Sequence, residues 1–225
     1  MIRAIAFDLD DTLLDTSGIL VPKAAERACL ALMSVGASCS LEECLNMRKE
    51  LAASASHPEI FGHIADHFEV QERDLAIQLA IQEFYNPEVP NTLPLIAGAR
   101  EVLQQLLSKY DLYLVTMGMK SAQAQKIAAL NIAPFFKRIF ILDSIRGERK
   151  LDAFQEILRH SNYLPEELLC VGNRLSAEIR DGKLCGAKTC YFEFGEHVGE
   201  KPQMVADIPD FTIRTHYELI ETCKL

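Results

Sequence analysis

The chain has 225 residues, 49% hydrophobic and 24% charged, with a formal net charge of −9 at pH 7. That length accommodates one large domain or a core carrying a smaller inserted one, and the composition is that of a globular protein. The acidic balance argues against nucleic acid or an anionic membrane as the main partner, because a polyanion would have to find a local basic patch against an unfavourable field.

Seven cysteines (Cys29, Cys39, Cys44, Cys170, Cys185, Cys190 and Cys223) are scattered without a CxxC pair. They read as small buried thiols in a reducing compartment, with neither a disulfide framework nor a zinc site indicated. The apolar run at the start is too short for a signal peptide, and no stretch approaches the roughly 18 apolar residues of a membrane span. A cytoplasmic location is therefore expected.

In chain order, residues 2–7 form a short apolar run ending in acids, which suits a strand buried on both faces of a parallel sheet. Residues 17–90 have a different pattern, with helices predicted over 22–35, 41–53, 58–67 and 71–85 and no good buried strand. The segment 86–94 (NPEVPNTLP), with three prolines, marks the return to the core. Apolar runs then recur at 112–116, 138–142, 168–172 and 189–192. Amphipathic helices are predicted between them at 99–109, 121–130 (opened by Ser121 as cap), 151–161 and 177–185. A last short strand and a closing helix are expected over 211–225. Strand and helix alternate, so the fold class is α/β, a doubly wound parallel sheet. The expected domains are a core of 1–16 with 91–225 and an inserted α-helical domain over 17–90. Ligands of such sheets bind at the carboxyl ends of the strands, where Asp8, Thr116 and Gly172 fall.

Four segments carry candidate chemistry. In Phe7-Asp8-Leu9-Asp10-Asp11-Thr12-Leu13, side chains alternate along the strand, so Asp8 and Asp10 point the same way. Two carboxylates in one cleft are costly unless a cation or proton lies between them, though a solvated strand end is the competing reading. Val115-Thr116-Met117-Gly118 runs a strand into a glycine turn whose hydroxyl and N–H groups suit a phosphate oxygen, or simply shape the turn. Arg146-Gly147-Glu148-Arg149-Lys150-Leu151-Asp152 is a charged loop before a helix. Val171-Gly172-Asn173-Arg174-Leu175-Ser176-Ala177-Glu178-Ile179 places an amide and a carboxylate five residues apart beyond a buried strand.

In this order the four segments resemble the haloacid dehalogenase (HAD) superfamily of phosphohydrolases, and the helical insertion resembles the cap of its phosphoglycolate-phosphatase-like branch. The resemblance implies a Rossmann-like core and a Mg²⁺-dependent phosphatase acting on a phosphorylated small molecule. Asp8 would be the nucleophile and Asp10 the general acid/base, with Thr116 and Lys150 completing the catalytic set. Thr12, Met117, Gly118 and Arg174 would face substrate, the amides of Met117 and Gly118 holding phosphoryl oxygens. The metal would be held by Asp8, by Asp10 through its carbonyl, and by Asn173 and Glu178.

The family's metal motif, GDxxxD or GDxxxxD, is altered here. Asn173 replaces an aspartate, forgoing a charge worth on the order of 4 kcal/mol at about 4 Å and an effective dielectric near 20. Glu178 stands where the second aspartate would be, and Asp181 is read as facing solvent. Arg149 competes with Lys150 for the place beside Asp8. His63 and His67, four apart, are read as surface or core residues rather than metal ligands. Asp10 argues against dehalogenation, since displacing halide needs no acid on the leaving group. A phosphomutase and a catalytically weak binding or regulatory module stay open, as do substrate identity and oligomeric state.

Overall fold

The computed structural model describes residues 1–52, 55–86, 88–143 and 146–225. Ala53, the predicted end of one helix, and Pro87, in the predicted return segment, lie outside the described residues. The chain divides into two compact units, Met1–Asp15 with Pro90–Leu225, and Thr16–Val89.

The first unit is built on six strands, β1 (Ala4–Phe7), β2 (Asp111–Met117), β3 (Arg138–Leu142), β4 (Leu168–Gly172), β5 (Lys188–Phe192) and β6 (Phe211–Ile213). All adjacent pairs are parallel, in the order β3-β2-β1-β4-β5-β6. Parallel sheets are covered on both faces, and β1 and β4 accordingly bury every residue. The chain builds outward from β1 through β2 to β3, then returns to lay β4 on the other side of β1. Strand order reverses there, which places a crevice at the carboxyl ends of β1 and β4. Register aligns those ends: Phe7 pairs with Leu114 on β2 and with Val171 on β4. Asp8 continues the ladder one residue further, donating its N–H to Val171 O at 2.9 Å.

Helices Ala99–Leu107, Lys120–Leu130, Lys150–Ser161 and Arg180–Leu184 accompany the sheet. Two predicted starts are corrected. The helix after β2 begins at Lys120 with Met119 as its cap, so Ser121 lies inside the first turn. The predicted helix 177–185 opens earlier as a π-helical turn, Leu175–Ile179, before the α-helix Arg180–Leu184. A π-turn holds one more residue than an α-turn and recurs at functional sites.

The second unit is helical, with Val21–Ser34, Leu41–Leu51, His57–His67 and Arg73–Tyr85 packed around Ala28, Cys29, Leu32, Ile60, Phe61 and Ile64. Ser40 and Ser56 open two of these helices in capping boxes with Glu43 and Glu59, the spacing that marks a helix start in sequence. His63 and His67 stand exposed, and among the described residues no group of three or more His, Cys, Asp or Glu side chains is arranged to hold a metal. All seven cysteines are free thiols, five of them buried. Among the described residues no helix is long and apolar enough to cross a membrane.

Candidate active site

At the carboxyl end of β1 the chain turns sharply. Asp11 adopts a positive φ of 50°, and its N–H closes the loop on Leu14 O at 2.7 Å. The turn leaves Asp8 and Asp10 on the site while burying Leu9, Leu13 and Leu14 completely. Thr12, expected at substrate, is corrected by the same turn. It is fully buried, its hydroxyl has no hydrogen-bond partner, and its carbonyl oxygen lies 2.7 Å from Nε2 of the buried His216.

Lys150 is the first residue of its helix, and its ammonium lies 2.5 Å from Asp8 Oδ1. The same nitrogen also bonds Glu178 Oε1. Arg149 points elsewhere: its guanidinium pairs with Asp181 Oδ1 at 2.5 Å, while Asp181 Oδ2 accepts the N–H of Leu151. The choice between Arg149 and Lys150 is thus made at the helix boundary, since Arg149 is the extended cap residue and Lys150 the first helical one, and their side chains leave the backbone in different directions. Asp181 does not face solvent as expected; it is buried at the opening of that helix, where a carboxylate is favoured.

Two buried carboxylates therefore share one buried ammonium. Burial is the largest influence on Asp8, and with repulsion from Glu178 and Asp10 it pushes the carboxyl up to about 7 despite the Lys150 contact. A short ion pair and an upward shift look contradictory; removal from water outweighs a cation that Asp8 must share. Burial alone would lower Lys150, but Asp8 and Glu178 together hold it above its ordinary value.

Glu178 is engaged on both oxygens, Oε1 with Lys150 and Oε2 with the N–H of Arg174 at 3.0 Å. Its methylenes lie directly over Gly172, where an added Cβ would sit 2.3 Å from Glu178 Cγ. Gly172→Ala should consequently displace Glu178 and cost about 1–3 kcal/mol, a fall in melting temperature of roughly 3–10 °C by thermal unfolding. Asn173 is buried beside it, with its amide nitrogen 3.4 Å from Phe194 O and its amide oxygen the remaining donor to a cation. Arg174 is exposed, and its guanidinium donates to Ser176 Oγ at 3.4 Å.

On the other side of β1, Thr116 ends the buried part of β2 and is itself fully buried. Gly118 follows with φ 151°, a conformation that L side chains rarely adopt. Its N–H is not available to a ligand, because it donates to Leu142 O at 2.9 Å, which corrects the expected role of that amide. Two residues not singled out in sequence complete this side: Gln123 and Lys126 both reach the Asp10 carboxylate. Their signal was present, as polar residues on a helix stripe otherwise made of Ala122, Ile127 and Leu130. Glu200 was also missed; its two oxygens accept the N–H groups of Leu175 and Ser176 at 2.8 and 3.2 Å.

A buried aspartate at a strand end, a lysine on its carboxylate and a second aspartate two residues on thus meet at the carboxyl ends of the strands in a doubly wound α/β fold. The model of the haloacid dehalogenase-like hydrolases matches residues 5–192, and the chain belongs to that family as a phosphatase, a phosphoric monoester hydrolase. Among its relatives is the glyceraldehyde 3-phosphate phosphatase of Pyrococcus abyssi, 30% identical over 87% of this chain and 83% of the relative. The enzyme of that name from Methanopyrus kandleri is 27% identical over 100% of this chain and 98% of its own length. Among solved structures, HAD-hydrolase YfnB of Bacillus subtilis, bound to magnesium, superposes with a TM-score of 0.69 at 23% identity, covering 98% of this chain and 97% of that one. At that identity the likeness is one of fold.

Proposed function

We propose that this phosphatase hydrolyses a small phosphomonoester through an aspartyl-phosphate on Asp8, with Mg²⁺ as cofactor. The observation that carries the reading is the Asp8 carboxylate, buried at the strand end and held by Lys150. Asp8 would attack phosphorus through the oxygen that Lys150 does not hold. Asp10, partly exposed at 30% of its side chain, would protonate the leaving oxygen and afterwards accept a proton from the attacking water. Thr116 would orient the phosphoryl group through its hydroxyl proton. Phosphoryl transfer needs mainly positioning and charge stabilisation, and these groups supply both.

The donors present fit Mg²⁺. Asp8, the Asp10 carbonyl and the Asn173 amide oxygen are all hard oxygen ligands, the kind this ion takes. Two carboxylates on one ammonium leave a net negative charge that a divalent cation would offset. Bound there, Mg²⁺ would neutralise charge on the phosphoryl oxygens. Glu178 serves in this reading as the partner of Lys150, and Asn173 as the ligand. The helical unit, Thr16–Val89, is proposed as the cap that selects the substrate.

The names of the relatives make glyceraldehyde 3-phosphate the first substrate to try. Release of inorganic phosphate from a panel of phosphorylated metabolites headed by that compound tests the reading. Hydrolysis that requires Mg²⁺ and stops on chelation is expected. A panel without turnover would favour a binding module, and turnover only with a bisphosphate activator would favour a mutase.

A further inference from the structure

Helix Lys120–Leu130 buries an amide and an ammonium among apolar neighbours: Gln123 and Lys126 are 2% and 7% exposed. Burying such groups is costly unless each finds a partner, and both find the same one. Lys126 Nζ lies 2.7 Å from Asp10 Oδ1, and Gln123 Nε2 lies 2.7 Å from Asp10 Oδ2. Each carboxylate oxygen thus has its own donor from one helix, which fixes the plane of the group.

The Gln123 nitrogen does more than hold Asp10. It also lies 2.8 Å from Thr116 Oγ1 and 2.9 Å from Met117 O, so two amide hydrogens serve three acceptors. Its oxygen, Oε1, is buried without a partner. Turning the amide over would aim that oxygen at a carboxylate, so the side chain forgoes one hydrogen bond to keep its nitrogen between Asp10 and Thr116. Gly118 leaves room for it, since a Cβ there would lie 3.2 Å from Gln123 Nε2.

We propose that Gln123 and Lys126 are positioning residues that hold the Asp10 carboxylate in register with Thr116, and so with the leaving oxygen of the substrate. The proposal rests on the reading of Asp10 as the acid/base group. As the Asp8–phosphorus bond forms and the ester P–O bond breaks, Asp10, which enters this step protonated on a lone pair that neither Lys126 nor Gln123 occupies, passes that proton to the leaving oxygen. When water attacks phosphorus and releases Asp8, Asp10 takes a proton back. Gln123 and Lys126 keep their own protons throughout and act only through geometry.

The test exploits the leaving group. Phenyl phosphate needs a proton on its departing oxygen far more than 4-nitrophenyl phosphate does, and kcat/KM reports only the steps up to phosphoryl transfer. Lys126→Met and Gln123→Leu are compared with wild type and with Asp10→Asn on both esters with Mg²⁺. The phenyl-to-nitrophenyl ratio of kcat/KM is expected to fall by about tenfold or more in both positioning variants, and further in Asp10→Asn. Because both rates come from one preparation, any misfolded fraction cancels in the ratio. Equal losses on the two esters in Lys126→Met and Gln123→Leu, with the ratio lowered in Asp10→Asn, overturn the positioning role and leave Asp10 as the acid. A ratio unchanged in Asp10→Asn overturns both.

Discussion

Replacing Asp8 by asparagine is expected to lower kcat roughly 10⁴-fold or more, since an amide oxygen does not form the acyl phosphate and loss of a nucleophile removes the covalent route altogether. The same variant should gain stability when metal is absent. In the wild type, burial raises the Asp8 carboxyl from 3.8 to about 7, so the folded chain binds a proton that the unfolded chain releases. The resulting stabilisation is complete below the unfolded value and is lost as pH climbs through the folded one. Metal-free wild type should therefore melt at progressively lower temperature from pH 5 to pH 8, by several degrees, and Asp8→Asn should flatten that slope. Adding Mg²⁺ at pH 8 should restore the wild type and do little for the variant. Phosphate release by Asp8→Asn at a rate near that of the wild type would falsify the nucleophile assignment, and a melting curve insensitive to pH in the metal-free wild type would contradict the burial argument.

Lys150→Met is expected to be the most destabilising single change at the site. The lysine is 4% exposed, and its removal strands Asp8 and Glu178 as two buried carboxylates without a cation. Breaking a buried pair by deleting one partner costs about 3–5 kcal/mol, which in a chain of this size lowers the melting temperature by roughly 6–20 °C near neutral pH. Turnover should fall about a thousandfold as well, because the charge that stabilises the phosphoryl group is gone. The double variant Lys150→Met with Glu178→Gln separates the two effects. Removing the second carboxylate should return about half of the lost stability without returning activity. If the double variant hydrolyses phosphate at the wild-type rate, Lys150 merely neutralises Glu178 and has no part in catalysis.

Most of the scaffold was legible because its signals are local. Parallel strands are short, largely apolar runs here, and those at 138–142 and 168–172 coincide with β3 and β4, of which β4 alone is buried throughout. The intervening helices also announce themselves within a few residues. Helix starts were less legible where no side chain caps the end: Met119 carries no cap signal, and a π-turn at Leu175–Ile179 has no sequence signature of its own. Thr12 and Gly118 show a different limit. Each lies in a motif that marks the site, yet the fold spends the hydroxyl of one in the core and the N–H of the other on β3.

By itself, the sequence determined the doubly wound α/β class and the short apolar runs that become its strands. Periodicity and motif spacing are short-range properties and survive without knowledge of contacts. The partners of the charges were decided only by the tertiary structure. Which of Arg149 and Lys150 meets Asp8 depends on where the helix begins and how it packs on the sheet. That Glu178 faces Lys150, that Asp181 is buried, and that Gln123 and Lys126 hold Asp10 depend on contacts between residues from 28 to 116 positions apart. Asp8 is the first of the motif residues in sequence, but the lysine that pairs with its carboxylate lies 142 residues away, and only packing brings the two within 2.5 Å.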